Sequence, residues 1–111
     1  MNIENTKAQM RKGVLEYCIL SVLAQGDAYA SDIIAKLKEV HLIVVEGTLY
    51  PLLTRLKNDG LLAYRWEESL QGPPRKYYKL TEDGDNFLNE LHLVWQELVA
   101  NVDYMNNKLK K

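Results

Sequence analysis

The sequence predicts a mainly α fold with a small β-hairpin, a winged helix-turn-helix followed by a long C-terminal dimerisation helix, and three observations carry that prediction. Before Gly60, apolar residues recur at three-and-four spacing over successive short segments, as helices with one buried face require. Two aromatic-rich segments, LLAYRWE and RKYYKL, flank a tip containing Gly and Pro, as the strands of a hairpin do. A seven-residue apolar repeat then runs toward the C-terminus.

The first helix is expected over Met10 to Gln25, where Val14, Leu15, Cys18, Ile19, Val22 and Leu23 form one stripe and Gly26 closes it. Asp27 is the expected N-cap of a second helix, Ala28 to Val40, with Ile33, Ile34, Leu37 and Val40 on its apolar side. His41 to Val45 is too short for an element of its own. In the third helix Leu49, Leu52, Leu53 and Leu56 face the core. Pro51 has no N–H and is expected near the helix start, which places that start around Gly47 to Thr48, and Gly60 supplies a left-handed cap. Leu61 to Glu67 and Arg75 to Leu80 form the hairpin, so residues 1–80 make the winged helix-turn-helix.

Residues 81–111 form the last helix, with Thr81 as its cap and Glu82 and Asp83 where the helix dipole favours acid. Leu88, Leu91, Trp95, Leu98, Val102, Met105 and Leu109 repeat along a helix of roughly 40 Å, more than a core of this size covers. The economical partner is the same helix, or the first helix, of a second copy, giving a two-fold homodimer. The closing KLKK is expected to fray.

At 111 residues and a formal net charge of −1 the chain is a single small unit of ordinary globular composition. No apolar run approaches the roughly 18 residues that a bilayer span needs, and MNIENTKAQMRKG lacks a signal-peptide core, so the expected location is cytoplasmic. Cys18 stands alone, a small core hydrophobe. His41 and His92 lack metal-ligand spacing, no cofactor is implied, and no phosphate loop or nucleophile motif suggests an enzyme.

Charge distribution is more informative than net charge. Between Thr48 and Leu80 the cations Arg55, Lys57, Arg65, Arg75, Lys76 and Lys79 outnumber Asp59, Glu67 and Glu68, whereas from Thr81 to Tyr104 no Lys or Arg occurs. The outer side of the third helix carries Thr48, Tyr50, Thr54, Arg55, Lys57 and Asn58, which can donate to phosphates or base edges of double-stranded DNA. A winged-helix protein adaptor is the alternative; the polar, basic outer side argues for DNA. Lys7, Arg11 and Lys12 are read as solvated.

The runs GTLYPLLTRLKNDGLL and QGPPRKYYKLTEDG resemble the signature of the PadR family of transcriptional regulators, and the resemblance spans nearly the whole chain, with the length of the short subfamily. It implies a cytoplasmic dimer that binds an operator and represses until an effector loosens it. Carried over by residue, it implies DNA contacts from Thr48, Tyr50, Thr54 and Arg55 of the third helix, Tyr29 and Ser31 of the second, and Gly72, Arg75 and Lys76 of the wing. In a similar multidrug-responsive member, a last-helix tryptophan lines a cavity between subunits and stacks on planar aromatic small molecules; the matching residue is Trp95. Leu88, Leu91, Trp95, Leu98, Val102 and Met105 are the expected dimer interface. Ala28 stands where many members carry Gly.

Overall fold

The computed structural model describes residues 1–109. In order they form α1 (Ile3–Ala24), β1 (Ala28–Tyr29), α2 (Ala30–Glu39), α3 (Glu46–Asn58), β2 (Leu62–Glu67), β3 (Arg75–Leu80) and α4 (Glu82–Leu109). The expected fraying of KLKK falls at this limit: α4 continues to Leu109, and Lys110 and Lys111 lie outside the described residues.

α1 begins at Ile3, earlier than its apolar stripe predicts. The reason is capping: the Asn2 side chain accepts the Glu4 N–H at 2.9 Å, and Lys7 pairs with Glu4 one turn on at 3.8 Å. Burial starts only at Leu15, so the first turns leave no periodic signal.

α2 departs from expectation in the opposite sense. Ala28 and Tyr29 pair with Tyr78 and Tyr77 as a short strand, so the hairpin becomes a three-stranded antiparallel sheet in the order β1-β3-β2. Asp27 does not cap the helix, because its carboxylate meets Arg65 at 3.3 Å; Asp32 instead accepts the Tyr29 N–H at 3.0 Å. At the other end the helix stops at Glu39, and Val40, expected on the buried stripe, is exposed. His41 adopts φ 62, with its N–H bonded to Lys38 O and that of Leu42 to Leu37 O, both at 2.9 Å. That is a Schellman ending built on a histidine where glycine is usual.

α3 starts at Glu46, so Pro51 sits in its second turn and not at the start. The missing N–H leaves the Gly47 carbonyl without its donor one turn on, but both residues are exposed and water can substitute. Gly60 at φ 79 ends the helix as expected, with Gly60 N–H to Lys57 O and Leu61 N–H to Leu56 O at 3.0 Å each.

The core gathers Ile19 and Leu20 of α1, Ile33 and Leu37 of α2, Leu49, Leu53 and Leu56 of α3, Leu62 and Tyr78 of the sheet, and Leu88 of α4. Beyond Trp95 the last helix leaves this body, and the molecule measures 61 × 33 × 22 Å. The departure point is tightly built. The Thr81 hydroxyl accepts the Gly84 N–H at 2.9 Å and donates to the Gly60 carbonyl at 2.7 Å, while Thr81 N–H reaches Leu61 O at 3.2 Å. A Cβ on Gly84 would stand 1.8 Å from the Leu61 carbonyl oxygen. Gly84→Ala is therefore expected to destabilise the fold by about 3 kcal/mol or more, measured as a lowered urea midpoint.

Tyr78 packs edge-on to Tyr64, ring centroids 5.8 Å apart. Burial first, then the neighbouring Tyr50 and Tyr64 phenols, push its phenol up to about 12. Unfolded tyrosine ionises near about 10, so between those values the unfolded chain sheds a proton that the folded chain keeps, and stability falls as pH rises. Tyr78→Phe should flatten that alkaline decline in urea midpoints taken between about pH 9 and pH 12.

Candidate functional site

Successive helical residues turn by about 100°, so the burial of Leu49, Leu53 and Leu56 fixes the orientation of every other side chain on α3. Gly47, Pro51, Thr54 and Asn58 lie opposite the core. Tyr50 and Lys57 lie on the flank toward the sheet, where Tyr50 lines a cleft against β3 and Lys57 Nζ stands 5.6 Å from the Tyr64 ring centroid. Thr48 and Arg55 lie on the flank toward α1. Thr48 lines a hollow with Arg11 and Lys12, and Arg55 donates to the Glu16 carboxylate. The expected set Thr48, Tyr50, Thr54 and Arg55 thus divides between three directions, and Arg55 pairs at the surface with a carboxylate of α1.

The cleft between α3 and the wing has a volume of about 310 Å³ and brings together Tyr29, Ser31, Tyr50, Arg75 and Lys76, which come from three separate stretches of sequence. Strand alternation puts Arg75 and Lys76 on opposite faces of the sheet, each with its own aromatic support. On one side of the sheet Tyr29 pairs with Tyr77, ring centroids 4.7 Å apart, and Arg75 lies 4.1 Å over the Tyr29 ring while donating to Ser31 Oγ at 2.6 Å. On the other side Trp66 pairs with Lys76 and Tyr64 with Tyr78. There Lys76 Nζ stands 4.6 Å from the Tyr64 centroid and 5.5 Å from that of Trp66.

Ring faces hold a cation in place by about 0.5–1 kcal/mol at exposed sites and leave its charge intact. Among the described residues Lys57, Arg75 and Lys76 have no carboxylate at ion-pair distance. Arg65 differs. It lies 4.6 Å over Tyr77 but binds Glu67 at 2.6 Å and Asp27 at 3.3 Å, and the hydrogen bond to Glu67 above all raises its pKa further. Tyr29 and Ser31, expected as helix contacts, serve here as strand and helix-start supports for Arg75. Gly72 lies at the exposed wing tip with φ 143, a conformation that side-chain-bearing residues rarely adopt.

α4 presents a second feature. Leu88 is 3% exposed and Leu91 is partly buried against the same core, so the first two positions of the expected interface stripe face the protein's own body. Trp95, Leu98, Val102 and Met105 remain uncovered at 40%, 51%, 50% and 57% exposure, together with Leu93, Val94 and Tyr104, which the heptad reading missed. Trp95 leans toward Tyr17 of α1, ring centroids 6.3 Å apart, and the Tyr17 hydroxyl hydrogen-bonds His92 Nδ1 at 2.5 Å. Tyr17 and His92 were not legible as partners, since neither lies on its helix's apolar stripe. Partial burial pushes the Cys18 thiol up from its ordinary value. No helix among the described residues is long and apolar enough to cross a membrane.

Comparison with known proteins agrees with this architecture. The model of the transcriptional regulator PadR-like family matches residues 19–90. A PadR-like transcription factor from Bacteroides fragilis is 67% identical, with 91% of this chain and 98% of that one covered and a TM-score of 0.78. A PadR-like transcriptional regulator from Bacillus cereus is 37% identical over 87% and 95% of the two chains, TM-score 0.78. A PadR family regulator from Eggerthella lenta is 31% identical over 93% and 90%, TM-score 0.82. With its three-helix body, winged sheet and trailing helix, the chain belongs to the PadR-like family of transcriptional regulators.

Proposed function

We propose that this regulator is a cytoplasmic homodimer that binds operator DNA in a sequence-specific manner, represses transcription there, and is released by a planar aromatic small molecule held between its subunits. The observation that carries the reading is the pair Arg75 and Lys76, held on aromatic rings at the mouth of a cleft beside α3 with their charges unspent. Such cations displace counterions from phosphate, which supplies affinity on any sequence. Thr54 and Asn58, outermost on α3 beside the side-chain-poor Gly47 and Pro51, suit close entry into the major groove.

Dimerisation supplies the second reading head. The uncovered apolar length of α4 supports it, and so does charge: α4 is acidic through Asp103, while Lys7, Arg11 and Lys12 make the start of α1 basic. A partner's α4 laid along α1 or along its own copy would hide Leu98, Val102 and Met105 and bring two Trp95 rings toward one axis. Two recognition helices then address successive major grooves, roughly 34 Å apart. The exposed ring of Trp95, with the half-buried Tyr17 beside it, offers an aromatic surface for a flat ligand at that axis.

Replacing Arg75 and Lys76 together by Ala should weaken binding to every duplex and flatten the plot of log affinity against log salt by about 2, whereas Arg55→Gln should leave the slope unchanged. Gel shifts across a salt series measure both; an unaltered slope in the double variant would count against phosphate contacts from the wing. Trp95→Ala should abolish fluorescence quenching by planar aromatic compounds while sedimentation still reports a dimer. Quenching that persists would assign the signal to Trp66.

A further inference from the structure

Glu46, the first residue of α3, lines the cleft beside Ser31, Tyr50 and Arg75. Its side chain is exposed, and it takes no part in the ion pairs found among the described residues. A carboxylate at this point opposes the phosphate attraction of Arg75 and Lys76. The α3 dipole makes an acid tolerable in its first turn, but the dipole would be served equally by an acid turned away from the cleft.

We infer that Glu46 is a specificity-determining residue that reads a base edge; this deepens the DNA-binding reading above and rests on it. The N-terminal residues of a recognition helix are those that reach base edges. An ionised carboxylate only accepts hydrogen bonds, and the major groove offers only two donors, cytosine N4 and adenine N6. Adenine presents its acceptor N7 beside N6, which repels the second carboxylate oxygen, so cytosine is the preferred base. Guanine and thymine meet Glu46 with acceptors and are rejected. Two-fold symmetry repeats that preference once in each half-site, and the same negative charge lowers affinity for sequences that do not satisfy it.

The test is selection from a randomised duplex pool by the full-length wild type, Glu46→Gln and Glu46→Ala, with thermal melts to check folding. The wild type should enrich cytosine at one symmetric position per half-site. Glu46→Gln should move that position toward adenine, whose N6 and N7 suit an amide. Glu46→Ala should lose the preference there, with specific over non-specific affinity falling about 5- to 150-fold. Identical enriched sites for all three proteins, or a uniform change in affinity with unchanged base preference, would overturn the assignment while leaving DNA binding in place. A wild type that enriches no sequence would overturn the DNA-binding reading itself, and this assignment with it.

Discussion

The geometry of the molecule depends on one small junction, where the backbone of α4 meets the end of α3. Thr81 uses a single hydroxyl twice, accepting from Gly84 and donating to Gly60, so the closing turn of one helix and the opening turn of the other share an atom. The absent side chain of Gly84 lets the two backbones touch at Leu61. The end of α3 and the exit of α4 are both fixed at this point. The angle at which α4 leaves sets how two bodies would face each other, and the same contact holds α3 in place.

The second constraint is electrostatic. A chain with net charge −1 is a poor advertisement for an anion-binding surface, and three-dimensional pairing changes the count further. Arg55 and Arg65, prominent in the sequence, are met by Glu16, Asp27 and Glu67. Lys57, Arg75 and Lys76 rest on tyrosine and tryptophan rings, which orient them without cancelling them. The aromatic residues of the wing are thus explained twice over, as sheet formers and as supports for the charges between them.

What the sequence made legible were features written in local chemistry: the apolar stripes of α1 and α3, the Gly60 ending, the hairpin strands and the Thr81 cap stand where the reading placed them. Features that depend on distant residues were not legible. Nothing near Asp27 announces Arg65, nothing near Arg55 announces Glu16, and Ala28 and Tyr29 become a strand only because β3 offers them an edge. The heptad rhythm of α4 was visible, but where the protein's own core stops claiming that stripe, after Leu88 and Leu91, follows from the exit angle of the helix. In the site, Arg75, Lys76, Tyr29, Ser31 and Tyr50 do converge on one cleft, while Thr48 and Arg55 turn away from it because helical rotation separates them from Tyr50.

Pro51 has a consequence beyond its effect on helix length. By withholding a hydrogen from the Gly47 carbonyl, it leaves a main-chain oxygen without its usual helical donor on the outermost, exposed line of α3. An acceptor of that kind belongs to no side chain, so scanning α3 with alanine at every other position would pass over it unseen. Only giving residue 51 back its amide hydrogen would silence it.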